Sequence, residues 1–178
     1  MRKVANFLLF QTAWLINVLM PGSTSAILTL LILGLHLAFV STTRMRELRF
    51  IIMAAALGIA VDVAFQNAGV LVFPGHDGAH AEGMIPVWLV TLWLMFVTTV
   101  NHCLYWMREH SLVLFGLPPF AGALAYYGAA QLGALEIGYG IWGVVAIAVA
   151  WGILFPVFVM ISRWLESLED DPDLAHQW

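Results

Sequence analysis

The sequence predicts an all-α membrane protein, built as one bundle of six transmembrane helices. Of its 178 residues, 62% are hydrophobic and 10% are charged, whereas a soluble domain carries roughly a quarter charged residues. Six apolar segments each approach the ~20 residues that cross ~30 Å of hydrocarbon. These segments, spans one to six, lie at about 4–20, 23–40, 50–72, 86–107, 111–131 and 137–162. They leave room for a single transmembrane domain, residues 1–178.

The seven basic residues predict the orientation of the bundle. They occur only in every second gap between the spans, and they are Arg2, Lys3, Arg44, Arg46, Arg49, Arg108 and Arg163. Short loops rich in Lys and Arg stay on the cytoplasmic side of a membrane. We therefore expect the N- and C-termini to be cytoplasmic.

Turn residues and prolines mark the individual spans. Pro21-Gly22 predicts a tight turn between spans one and two. The basic loop 41–49 precedes span three, and the polar, Gly-rich segment 74–85 precedes span four. Spans five and six contain Pro118-Pro119 and Pro156, which we expect to kink or interrupt both helices.

Small and aromatic residues predict how the spans pack. Small side chains recur every four residues on span five, at Ala121, Ala125, Ala129 and Gly133. Such a stripe lets two backbones approach, so we expect it to face another helix. Large aromatic residues lie near both ends of span four, Trp88 and Trp93 outside and Tyr105 and Trp106 inside. For these residues, interfacial belts are favoured over a ligand cage.

Asp62 is the most costly residue to bury, because it lies near the middle of span three. A carboxylate there costs roughly 2.5 to 3.5 kcal/mol on an insertion scale. No Lys or Arg lies within the spans to pair with it. We expect a protonated carboxyl that hydrogen-bonds amide or phenol groups such as Asn17 or Tyr126. Two roles stay open, a polar clamp between helices and a proton- or substrate-binding carboxyl.

Spans one to four each carry polar residues at helical spacing, a stripe that lipid would not tolerate. The simplest arrangement turns all four stripes toward a common interior. We therefore predict one cavity bounded by spans one to four. Its candidate ligand-binding residues are Asn17, Thr29, His36, Asp62, Gln66, Trp88, Met95, His102 and Tyr126.

Two groups of residues that contain histidines are candidate metal sites, but we expect no metal or other cofactor. His36 and His102 lie at a similar shallow depth, but an intramembrane histidine more often only hydrogen-bonds a neighbouring helix. A second cluster lies in the external segment, at His76, Asp77, His80 and Glu82. Its flanking glycines favour a solvated loop over a metal site.

The sequence lacks the motifs of several classes of enzyme. It has no HExxH, GxSxG or Walker motif and no paired cysteines, so proteolysis by zinc, serine hydrolysis and nucleotide hydrolysis lack support. The net charge is −4 and the one basic patch is a short loop, which argues against a nucleic-acid partner.

A set of residues along nearly the whole chain carries a family resemblance. They are Asn6-Phe7, Phe10-Gln11, Trp14, His36, Gly58, Asp62, Pro86 to Leu89, Leu92-Trp93, Thr99, Asn101-His102, Trp106, Gly122, Tyr126, Gly133 and Pro156. In these the chain resembles the family named domain of unknown function 2878, small integral membrane proteins of bacteria. The resemblance implies a multi-pass protein of the bacterial inner membrane. The genes of the family often neighbour those for fatty-acid modification, which implies membrane lipids and lipid-modifying enzymes as partners.

Three functions remain open. In the favoured one, the protein binds a lipid-like or other apolar small molecule in an intramembrane cavity and assists lipid or fatty-acid modification. In the second, it is a small proton-coupled transporter or channel that uses Asp62. In the third, it is a lipid-modifying enzyme with His36 and His102 as acid and base. Catalysis is disfavoured because the candidate groups are scattered.

Overall fold

The computed structural model describes residues 1–74 and 84–170, and this part of the chain is helical. The six α-helices are α1 (Arg2–Leu19), α2 (Ser23–Phe39), α3 (Arg44–Asn67), α4 (Val87–Asn101), α5 (Ser111–Gln131) and α6 (Ile141–Asp170). A 3₁₀ helix, Tyr105–Glu109, joins α4 to α5. Two short strands, β1 (Leu71–Val72) and β2 (Glu136–Ile137), pair antiparallel. The expected all-α class is confirmed, with this small strand pair as an addition.

Three of these helices are long and apolar enough to cross a membrane, namely α3, α5 and α6. Within the described residues, α2 and α4 are also apolar but contain only 17 and 15 residues. Large hydrophobic side chains cover the outer surface, and Phe39, Phe120 and Trp142 are more than 70% exposed there. Such an apolar exterior is expected of a surface in contact with lipid. By length and composition, the chain is a membrane protein.

A glycine in the left-handed region ends α3 earlier than the apolar pattern suggested, whereas α5 ends at Gln131 as predicted. Gly69 has φ 72°, and the N–H of Val70 bonds back to the carbonyl of Phe65 at 2.8 Å. This bonding pattern closes a helix C-terminus, so α3 ends at Asn67 rather than near residue 72. Gly133, with φ 81°, similarly follows the end of α5 and is not part of a helical stripe.

The prolines do not interrupt their helices. α5 runs through Pro118-Pro119 and α6 runs through Pro156. Of the two effects that we expected, a kink or an interruption, the interruption is therefore wrong.

The central element is α4, which packs against α1, α2, α3 and α6. Ten of its fifteen residues are buried, as expected for a helix with other helices on several sides. α5 packs mainly on α6. At one end of the bundle the buried Arg108 donates to Glu166 at 2.9 Å and to Asn101 at 2.5 Å, which ties the end of α4 to α6.

Candidate functional site

A cavity of about 570 Å³ lies between α1, α4, α5 and α6. This volume is within the range of small-molecule sites, roughly 300 to 1,000 Å³. Aromatic side chains form much of its wall, among them Phe10, Trp14, Trp88, Trp93, Phe96 and Trp151. The space is therefore suited to an apolar occupant.

The aromatic wall is rigidly packed around a pair of indoles. The rings of Trp93 and Trp151 are stacked with centroids 5.4 Å apart, and Phe96 meets Trp151 edge-on at 4.9 Å. Two glycines allow the indoles to lie directly on helix backbones. A Cβ on Gly58 would lie 2.4 Å from Trp93, and one on Gly122 would lie 2.1 Å from Trp151. Any side chain at these positions would push the wall into the cavity.

Asp62 lies behind this wall and is 1% exposed. The indole N–H of Trp93 donates to Oδ2 at 2.6 Å, and the hydroxyl of Tyr126 donates to the same carboxyl at 2.7 Å. Both donors line the cavity. The phenol expected from the sequence is thus a partner of Asp62, whereas Asn17 is not. Asn17 instead donates to the carbonyl of Ala13 at 2.8 Å and to Thr29 at 2.6 Å.

The cavity is not the one predicted from the polar stripes, because α2 and α3 contribute nothing to its lining. Of the predicted ligand-binding residues, Trp88 and Tyr126 line it. The others lie outside its lining, at Asn17, Thr29, His36, Asp62, Gln66, Met95 and His102. The reason is that polar groups of the first four helices bond to one another across buried contacts, as Asn17 does to Thr29. These contacts occupy polar faces that we expected to line an open interior.

The structure also corrects two interpretations of residue type. Trp88 and Trp93 are 1% and 3% exposed, so they are not interfacial belt residues. Ala121, Ala125 and Ala129 line the cavity, so the small stripe of α5 leaves space as well as permitting close contact. The sequence of such a stripe does not show whether the small residues face a cavity or contact another helix.

A second cluster brings together α2, the first turn of α3 and the end of α4. The Nε2 atoms of His36 and His102 each lie 2.7 Å from the same oxygen of Glu47, Oε1. The two imidazole rings are edge-to-face, with centroids 4.7 Å apart. His36 and Glu47 are buried, and the side chain of His102 is 15% exposed. The histidines that the sequence placed at one depth are therefore in contact.

Sequence reasoning missed Glu47. It was taken as part of the polar loop 41–49, but α3 begins at Arg44 and buries Glu47 in its first turn. One signal in the sequence could have identified it: Glu47 is the one acidic residue in a basic segment, at about the depth of two histidines. The second cluster expected from the sequence, His76, Asp77, His80 and Glu82, lies outside the described residues.

Comparison with known protein families confirms the resemblance that the sequence motifs indicated. The model of the family described as "Protein of unknown function (DUF2878)" matches residues 3–157. No curated protein matches the chain, and no solved structure does.

Proposed function

The chain belongs to this family of unknown function, and from its geometry we propose that it binds an apolar, lipid-like small molecule in the cavity between α1, α4, α5 and α6. In this proposal it is a multi-pass protein of the bacterial inner membrane. All six helices cross or enter the bilayer, and both termini are cytoplasmic. It would assist enzymes that modify membrane lipids or fatty acids.

The observation that carries the proposal is the cavity itself. It combines about 570 Å³ of space with a wall of aromatic and aliphatic side chains. An apolar ligand of matching size would pack against this wall, and because lipid tails are themselves apolar, the stabilisation would come from van der Waals contact with the wall rather than from removal of water. The stacked indoles already hold much of the wall in place, so ligand binding should cost little side-chain conformational entropy.

One buried donor at the wall favours a ligand with a polar end. Trp88 lines the cavity, and its indole N–H is buried with no hydrogen-bond partner among the described residues. A buried donor of this kind normally has a partner. A carboxyl, ester, carbonyl or hydroxyl oxygen on the ligand would supply one after a rotation of the Trp88 ring toward the cavity, since the N–H itself is not exposed there. An acyl chain with an oxygen-bearing head has this combination.

The contacts of Asp62 favour a role in ordering the wall over a role in proton transport. Its carboxyl is engaged by Trp93 and Tyr126 and is shielded from the cavity by both. A proton-coupled site needs an ionisable group that substrate or water can reach. The hydrogen bonds instead hold two wall residues in place.

Quenching of tryptophan fluorescence by a bromoalkyl acid, 12-bromododecanoic acid, tests the proposal in detergent. We expect a saturable quenching component for the wild type, because the bromine would lie among the wall indoles. Ala125→Leu fills the cavity and should remove that component. Ala56→Leu changes an exposed position on α3 and is the matched control. Equal, non-saturable quenching of all three proteins would contradict the proposal.

A further inference from the structure

The His36–Glu47–His102 cluster plays no part in the apolar cavity, and its chemistry points to a different ligand. We propose that these three residues bind a divalent first-row transition-metal ion such as Zn²⁺. The inference is independent of the proposed function, because none of the three residues lines the cavity.

The ligand atoms are already close to metal-binding geometry. One ligand atom from each residue lies within 4.8 Å of the other two. A tetrahedral ion with bonds of about 2.0 to 2.2 Å needs ligand atoms roughly 3.3 Å apart. Each nitrogen now lies 2.7 Å from the carboxylate oxygen, so both must withdraw from it by roughly 0.6 Å, while the two nitrogens, which lie within 4.8 Å of each other, must reach the same ~3.3 Å separation. Side-chain rotations of this size leave the helices in place.

The charge of the cluster also favours a cation. Glu47 is buried, and within the described part of the chain its ion-pair partners are the two histidines alone. The nearby Arg44 donates instead to the carbonyls of Leu37 and Ala38. A buried carboxylate without a Lys or Arg partner is costly unless another cation compensates it. A divalent ion would do so.

A second layer of residues orients His36. The side-chain amide of Asn6 lies 3.4 Å from Nδ1 of His36, on the far side of the ring from Glu47, and also donates to Thr98 at 2.9 Å. An amide can present either its NH₂ group or its oxygen after a half-turn. After such a turn the oxygen would accept from an Nδ1–H when Nε2 binds a metal, in place of the bond that it now accepts from the backbone N–H of Cys103 at 3.3 Å. Such outer partners fix the ring and tautomer of metal-binding histidines.

The donor set narrows the class of metal. Two imidazoles and one carboxylate suit Zn²⁺ or Fe²⁺, whereas Mg²⁺ and Ca²⁺ prefer oxygen ligands alone. Three protein ligands leave a coordination position for water or another small ligand. The partial exposure of His102 provides access on that side.

The test is a Zn²⁺ titration of the full chain in detergent, with the affinity tag removed and the protein first treated with a chelator. We expect one equivalent of Zn²⁺ to bind, measured by competition with a chromophoric chelator. His102→Ala and Glu47→Gln should abolish this equivalent. Asn6→Ala should weaken it by about 10 to 100-fold, as for other outer partners of metal-binding histidines.

Two controls separate this site from other histidines. His110→Ala removes an exposed histidine, and the double variant His76→Ala/His80→Ala removes those of the external segment. Both should keep the full equivalent. The site is overturned if the wild type binds less than one equivalent, if His102→Ala and Glu47→Gln bind as the wild type does, or if only the external double variant loses binding.

X-ray absorption of Zn²⁺-loaded wild type keeps the test independent of how the variants fold. We expect two imidazole nitrogens and oxygen ligands around the ion. A shell of oxygens alone, or a thiolate shell, would overturn the assignment.

Discussion

Substitution of Asp62 by Leu should destabilise the protein far more than substitution by Asn. The leucine leaves two buried donors, the indole N–H of Trp93 and the hydroxyl of Tyr126, without the acceptor that they share. Each unsatisfied buried donor costs about 1 to 3 kcal/mol, so the loss should total about 2 to 6 kcal/mol. Asn keeps one acceptor oxygen and should lose about 0.5 to 1.5 kcal/mol, the value of an ordinary hydrogen bond.

The same geometry predicts a non-additive double variant. Tyr126→Phe removes one of the two stranded donors, so in the Asp62→Leu background it should cost about 1 to 3 kcal/mol less than it does alone. Unfolding titrations in mixed micelles would measure the four free energies of the cycle. Asp62→Leu as stable as the wild type, or single effects that simply add, would contradict the shared-acceptor role of Asp62.

Three further predictions concern packing, the helix ends and topology. Gly122→Ala should destabilise the protein, because overpacking costs about 1 to 3 kcal/mol and Ala gains only ~1 kcal/mol over Gly in a helix. A Cβ at Gly116 would meet nothing within 4 Å, so Gly116→Ala should stabilise the protein. Thermal unfolding of the two variants distinguishes these outcomes. Arg108→Met should cost about 1 to 3 kcal/mol by breaking the charged hydrogen bonds to Glu166, and high salt should not reproduce that loss. Arg46→Cys in a cysteine-free background should label only from the cytoplasmic side; labelling only from outside would refute the proposed orientation.

The sequence predicted those features that depend on one helix at a time. Helical spacing identified the buried faces that carry Asn6, Asn17, Thr29 and His36, all of which are fully buried. The cost of a buried carboxyl also led to the correct partner for Asp62, the hydroxyl of Tyr126. These inferences need only the period of a helix and the low polarity of its surroundings.

Features that depend on which helices are neighbours were not predicted. A stripe shows which face of a helix is buried, but not whether the facing helix closes on it or leaves space. For that reason the cavity was assigned to the first four spans, although Ala121 and Ala125 of α5 form part of its wall. Trp93 was assigned to the membrane interface for the same reason, because its partners Asp62 and Trp151 lie on other helices.

Glu47 was missed for a local reason. The start of a helix is poorly marked where a basic loop continues into an apolar segment, since Arg and Glu are both good helix formers. The six residues that α3 gains at its start, 44–49, include Glu47 and place its carboxylate against His36 and His102.

The central claim is that the aromatic cavity holds an apolar molecule, and a crystal structure grown from a lipidic mesophase with 12-bromododecanoic acid tests it most directly. The anomalous signal of bromine locates the alkyl chain without reference to the protein. We expect a bromine peak among Trp93, Phe96 and Trp151, and the carboxyl end of the probe within hydrogen-bond distance of the indole N–H of Trp88. Side chains that fill the cavity, or bromine peaks on the outer surface alone, would contradict the claim.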